Sequence, residues 1–262
     1  MAGRKHRLLM AVSILVFLFI AVPLVMIAIT AFGEASTIRF PIQGFTLGWF
    51  TAVFASRSFM SSLLVSFVLA AAATLLALAV GVPATYALSR SSSHGKKLLS
   101  AFFLSPLFIP EIVVGYALFK FLVISMRLPI FAALVVGHFL VVLPYVIRVV
   151  GASLEQFDFS IEEVACSLGC NRPQAFAKVV LPNIGSGIIA AFMLSFINSF
   201  NNIPISMFLS GPGMSTLPKT LMSYIEYSYD PSVSAISVLL MAITVALMLI
   251  VEKTLGIASL AK

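Results

Sequence analysis

The sequence predicts an all-α polytopic membrane protein with six transmembrane helices. Of its 262 residues, 61% are hydrophobic and only 10% charged, with a mean hydropathy of +1.12. An ordinary soluble domain carries about 25% charged residues and could not hide this much apolar surface. Six apolar runs approach the ~20 residues that a helix needs to cross a bilayer. None alternates with period two as barrel strands do, and a backbone in lipid must satisfy its own hydrogen bonds, which leaves helices.

The runs fall at about 8–32, 60–86, 98–124, 129–150, 184–209 and 232–251. With the amino terminus inside, the cytoplasmic segments hold Arg4, Lys5, Arg7, Arg90, Lys96, Lys97, Arg148, Arg172, Lys178, Lys253 and Lys262. The outer ones hold Arg39, Arg57, Arg127 and Lys219. This bias places both termini in the cytoplasm. The net charge of +7 is spread over separate short loops and calls for no nucleic-acid partner. The first run follows a basic stretch like that of a signal peptide. It is longer than the ~7–15 apolar residues of a cleaved signal and lacks a small-residue cleavage site, so it reads as a retained helix.

Outside, residues 33–59 carry Phe40, Trp49 and Phe50, rings that suit the membrane interface. The second run is rich in Ala, Ser and Thr, which let helices approach closely; Gly81 and Pro83 are expected to bend it before the basic turn at residues 90–97. The third holds Pro106, Pro110, Glu111, Gly115 and Tyr116. A carboxylate in a membrane helix turns toward protein or water and marks a functional site by default. Glu111, with Tyr116 nearby, is thus a candidate for the solute pathway, or else a local partner for backbone freed by Pro110. Lys120 snorkels to the outer interface, and His138 in the fourth run reads as a packing residue. In the fifth run Asn198, Asn201 and Asn202 lie among Ser195, Ser199 and Ser206. Buried amides need partners: they either join neighbouring helices or line the pathway.

Between the fourth and fifth runs lies the one long cytoplasmic connection, read as two short helices joined at Gly169. Ser160 followed by Glu163 matches a capping box. Ile161, Val164, Ala165 and Leu168 recur at helical spacing on one apolar face. Gly169 supplies a left-handed stop, Asn171 caps the next helix with Pro173 in its first turn, and Pro182 ends that segment. An apolar face in the cytoplasm must be covered by lipid or by a protein groove. Glu155, Asp158, Glu162 and Glu163 make the polar side acidic, which favours the groove. Cys166 and Cys170, four apart with no further Cys or His to complete a zinc site, read as small semi-buried residues.

Glu163-Val164-Ala165, Gly169 and, nine residues on, Val179-Val180-Leu181-Pro182 resemble the EAA loop of binding-protein-dependent ABC importer permeases, with Val in place of the second-position Ala. The resemblance extends over residues 40–50, Tyr86-Ala-Leu-Ser-Arg90, 106–115, Phe208-Leu-Ser-Gly-Pro-Gly213 and Thr216-Leu-Pro218, and is nearest to the polyamine-type permeases. It implies the type I, methionine-importer-like (MetI-like) fold, with residues 1–39 as the cytoplasmic tail, first transmembrane helix and start of the periplasmic loop, and 40–262 as the core of the permease domain, including the coupling loop at about 153–182. It implies that the helix around Glu163 to Leu168, within a coupling loop that also takes in Ser160, Ile161, Gly169, Leu181 and Pro182, docks on an ATPase subunit. It also implies two ATPases, a second permease subunit, a periplasmic solute-binding protein, the bacterial inner membrane and alternating access. Polyamine is the leading solute, beside ferric iron, a phosphonate or another small organic molecule, because Asn201 and Asn202 stand where acids are expected.

No GxxxxGK[ST] loop, HExxH or GxSxG is present, so the chain is not expected to be an enzyme, to hydrolyse ATP or to need a cofactor or metal. No internal repeat favours a carrier that works alone.

Overall fold

The computed structural model describes residues 2–91, 95–227 and 230–255. Residues 92–94 of the basic turn, Lys262, and the side chains of Arg4, Lys5, Arg7 and Lys253 lie outside the described residues. In chain order the helices are α1 (Ala2–Thr30), α2 (Gly48–Ala55), α3 (Arg57–Arg90), α4 (Gly95–Leu104), α5 (Glu111–Leu118), α6 (Ile130–Glu155) and α7 (Ser160–Ser167). There follow α8 (Arg172–Ala175), α9 (Leu181–Asn183), α10 (Gly185–Phe200), α11 (Pro204–Leu209), α12 (Leu217–Tyr227) and α13 (Ser232–Leu255). A 3₁₀ turn, Ser105–Phe108, precedes α5, and π-helical turns, Phe119–Ser125 and Phe176–Val180, follow α5 and α8.

Three helices are each long and apolar enough to cross a bilayer: Leu9–Thr30, Arg57–Arg90 and Ile130–Glu155. Two bent pairs, Gly95–Phe108 with Glu111–Ser125 and Arg172–Asn183 with Gly185–Phe200, raise the number to five if each pair makes one span. The sixth expected span falls on α13, whose described apolar part, Ser232–Ala246, is shorter.

Two expected continuous spans are broken. In the third, Pro110 lacks an amide hydrogen and takes an extended conformation, so the helix restarts at Glu111 after a bend of 96°. In the fifth, α10 ends at Phe200 and α11 begins at Pro204, a residue suited to a first helical turn. The helix α3, by contrast, runs unbroken through Gly81 and Pro83. There the Thr85 hydroxyl donates to the Gly81 carbonyl of its own helix at 2.6 Å, which satisfies a buried side chain next to the proline.

The chain divides by contact into two units, one of Met1–Met60 with Thr220–Ala246 and one built on Ser61–Lys219. In the first, the most apolar stretch of α1 buries none of its residues. The Thr30 and Ser234 hydroxyls lie 3.1 Å apart and join α1 to α13. The aromatics that follow α1 gather on Phe32, which stacks on Phe45 at 5.3 Å and meets Phe50 at 5.1 Å, while Trp49 Nε1 donates to the Gly33 carbonyl at 2.9 Å.

In the second unit α6 is the axis and packs most extensively on α10. One apolar cluster joins Ala77 and Val82 of α3 with Val142, Val146, Val150 and Leu154 of α6, and with Val180, Ile184 and Ala191. Another joins Leu69, Leu122, Leu134 and Val141 with Ile205 and Leu209 of α11. Both are dominated by branched aliphatic side chains, whose close contacts hold helices together where lipid supplies no hydrophobic drive between them. The backbones of α5 and α11 come close at Gly115, where an added Cβ would stand 2.9 Å from the Pro204 carbonyl oxygen at the start of α11.

Candidate functional site

The connection between α6 and α10 begins with an Asx turn. The Ser160 amide donates to Asp158 Oδ1 at 2.9 Å, and α7 starts there. That backbone bond, with a second from the Ser160 hydroxyl, holds the Asp158 carboxyl below the usual carboxylate range. The capping box expected of Ser160 and Glu163 is not formed. The residue at the cap position is Phe159, which leaves Ser160 one place too far into the helix to serve the amide three residues on.

The helix α7 has two sides of opposite character. Ile161, Val164 and Leu168 are 47%, 58% and 83% exposed and form one outward apolar face, with Ala165 half-buried at its margin. Glu162 is 1% exposed and points into the protein. Its Oε1 accepts a hydrogen bond from the Tyr86 hydroxyl of α3, and its Oε2 lies 3.7 Å from Arg90 Nε of the same helix. Arg90 Nη1 lies 3.4 Å from Glu163 Oε1, on an exposed carboxylate, and the Arg90 guanidinium stands 5.1 Å from the centre of the Phe159 ring. Tyr86 packs against Phe176 at 4.5 Å. The acidic residue expected on the outward polar side is thus partly a buried anchor. Tyr86 and Arg90 are four apart and share one face of α3, a spacing that could have identified them as a pair.

Gly169 follows α7 with φ +100°, a left-handed conformation that favours glycine, as its position predicted. Asn171 then makes a reciprocal capping box: Gln174 N donates to Asn171 Oδ1 at 2.9 Å, and Asn171 N donates to Gln174 Oε1 at 3.2 Å. Pro182 does not end this segment. It sits in the first turn of α9, where its missing amide hydrogen is tolerated, and the path turns by 73° into α10 one residue after Asn183. Leu181 packs against the α3–α6 cluster. Cys166 and Cys170 are free thiols, each half-buried.

The pathway candidates separate into two groups. Asn202 Nδ2 donates to Glu111 Oε2 at 2.7 Å, and Asn202 Oδ1 accepts from the Ile205 amide at 3.0 Å. One buried side chain therefore caps the start of α11 and ties it to the restart of the third span. Tyr116 is exposed and packs edge-on against Phe208 of α11 with ring centres 6.0 Å apart. Asn198 donates to the Leu194 carbonyl of its own helix at 2.8 Å, and Asn201 is exposed at the end of α10. Neither joins the Glu111–Asn202 pair.

His138 is 1% exposed and holds two hydroxyls, Ser199 Oγ at 2.9 Å from Nδ1 and Ser206 Oγ at 3.1 Å from Nε2. It spans the break between α10 and α11, a packing role as the sequence indicated. Among the described residues no group of three His, Cys, Asp or Glu side chains could hold a metal ion.

The sequence profile of the family described as "Binding-protein-dependent transport system inner membrane component" matches residues 77–255. The chain belongs to this family. Members are permease components of ABC importers, and this permease accordingly takes its place in the membrane. It is 27% identical over 237 residues to the spermidine/putrescine transport system permease protein PotC of Escherichia coli (strain K12), covering 89% of this chain and 88% of that one. It is also 27% identical over 237 residues to the putrescine transport system permease protein PotI of the same strain, covering 88% and 84%. Among solved structures, the permease matches a chain of a bacterial ABC transporter that imports alginate, with TM-score 0.75 and 17% identity over 97% of this chain and 98% of that one. That likeness is one of fold.

Proposed function

We propose that this permease passes a small ammonium-bearing solute, putrescine or spermidine foremost, from a periplasmic binding protein to the cytoplasm by alternating access. The observation that carries the reading is the Glu111–Asn202 pair. Glu111 is the only acidic residue between Glu34 and Glu155. It sits where the third span bends, bonded to the break in the fifth. Interrupted helices in transporters are where solutes are bound, because irregular backbone at membrane depth is tolerated only against protein or a water-filled cavity. A lone carboxylate there attracts a cation, and the similarity to permeases named for spermidine and putrescine points the same way. Tyr116, further along α5 and packed on Phe208, is the aromatic candidate for the same pathway. Asn198, bonded within α10, and Asn201, exposed just after it, are the further polar candidates for this pathway.

The energy enters through α7. Its outward Ile161, Val164 and Leu168 form an apolar face that an ATPase subunit covers, with Gly169 setting the angle to the next helix and Leu181 and Pro182 leading back into the membrane. Two ATPases, a second and different permease chain, and both termini in the cytoplasm complete the arrangement, with residues 40–262 as the transmembrane core.

Uptake of radiolabelled putrescine into vesicles holding the permease, its genomic neighbours and ATP tests the solute. Glu111→Gln removes the charge and Asn202→Ala removes the hydrogen bond to it, a bond worth about 1.5–3 kcal/mol, and both are expected to lower uptake about tenfold or more while the ATPase stays bound. Unchanged uptake in both variants, or wild-type vesicles that ignore both polyamines and accumulate a phosphonate or ferric iron, refutes the assignment.

A further inference from the structure

The two faces of α7 are separated by their geometry. At 3.6 residues per turn, Ile161, Val164 and Leu168 fall within about 60° of one another, centred about 130° from Glu162. The outward three are exposed, whereas Glu162 is sealed in. Its partners, Tyr86 and Arg90, both come from the last turns of α3, a helix that continues unbroken from Arg57. Aromatic rings close the joint on either side: Phe159, just before α7, lies under Arg90, and Phe176, beyond α8, packs on Tyr86.

A buried carboxylate is an expensive way to fasten a helix. Desolvation offsets much of the attraction in such a pair, and apolar residues of the same volume often stabilise as well or better. What a buried charge with a hydrogen bond from Tyr86 does supply is a fixed direction: the carboxylate meets its partners in one orientation, whereas aliphatic contacts slide. The position also suits an acid, since Glu162 lies in the first turn of α7, where exposed backbone amides favour negative charge.

We propose that Glu162, held by Tyr86 and Arg90, is a positioning residue that makes α7 and α3 move as one body, so that displacement of the docking helix is delivered to a membrane-spanning helix directly. Most of the loop reaches the membrane through covalent chain, by way of α8, α9 and the 73° turn into α10. The Glu162 joint adds a second route that bypasses that turn and enters the bundle at α3. A load applied to the outward face is thereby divided between α10 and α3.

This inference rests on the reading of α7 as the element an ATPase grips, and the two fail differently. The experiment uses the complete complex with its ATPase, partner permease and binding protein in vesicles. Solute uptake, with putrescine and spermidine as probes, is measured per ATP hydrolysed. A fluorophore on Ser89→Cys, in a complex freed of other reactive cysteines through Cys166→Ser and Cys170→Ser, follows the end of α3. In the otherwise unaltered complex the signal is expected to change on addition of ATP. In Glu162→Ala the ATPase is expected to remain bound and active, while transport per ATP falls at least about fivefold, within the range of typical coupling energies, and the ATP-dependent signal disappears. Tyr86→Phe, which removes only a hydroxyl, is expected to move both readouts in the same direction and decides the question if Glu162→Ala does not assemble. Wild-type transport per ATP and a wild-type signal in the assembled variants overturn the joint. A wild-type permease that never binds an ATPase removes the docking reading instead, and the joint with it.

Discussion

Glu162 and Glu163 are neighbours in the chain with different surroundings, one sealed against α3 and the other 67% exposed. Taking away Arg90 leaves a buried carboxylate without its cation, which costs about 3–5 kcal/mol. Taking away Glu163 disturbs an exposed pair worth about 1 kcal/mol or less. Thermal unfolding of the solubilised permease is expected to rank Arg90→Ala well below Glu163→Ala, and equal stabilities would mean that the inner pair contributes nothing. Asp158 makes a prediction in pH. Its carboxyl is lowered by bonds made only in the folded loop, so its support for α7 is complete above the ordinary carboxylate range and fades as pH falls through the lowered value. Protection of the first α7 amides from hydrogen exchange, taken relative to the intrinsic rate at each pH, is expected to weaken on acidification in the wild type and to lose that dependence in Asp158→Ala. The acidity of this loop was legible in the sequence. Which acid faces inward was not, because a helical period separates two faces without saying which of them meets its own chain.

At the level of elements, the second and fourth spans follow from apolar length, although the second runs through the bend expected at Gly81 and Pro83; in the loop after α6, Asn171, Pro173 and Gly169 do what their residue types predict while the Ser160–Glu163 box does not form. The breaks in the third and fifth spans were harder to see. Pro106, Pro110 and Pro204 stand in the sequence as plain text, yet hydropathy stays high across each, and an apolar average is blind to direction. The Glu111–Asn202 bond shows why both breaks matter, since the restart of one span is fastened to the restart of the other. Gly115 makes that meeting possible. A Cβ there would press on a backbone oxygen rather than on a movable side-chain tip. Gly115→Val is therefore expected to cost about 1–3 kcal/mol through overpacking and to reduce uptake by shifting α11 away from α5. A variant with wild-type stability and transport would show that this approach has slack.

For the molecule as a whole, the sequence identified a membrane permease of the importer family and singled out one long loop, which the proposed function makes the receiver of work. Gly169→Pro tests that loop without touching the bundle. Proline holds φ near −65°, far from the +100° found at this residue, so α8 must leave its present angle. The variant is expected to insert and bind its partners but to lose solute uptake, measured in vesicles beside ATP hydrolysis; full uptake would release the loop from any part in transport. The opposed sides of α7 carry a further consequence. Because the anchoring acid lies on one side and the aliphatic trio on the other, natural selection is free to redesign the plug without loosening the socket. Exchanging Ile161, Val164 and Leu168 for the matching residues of another importer should let this subunit accept a foreign motor while its own solute preference stays as it was.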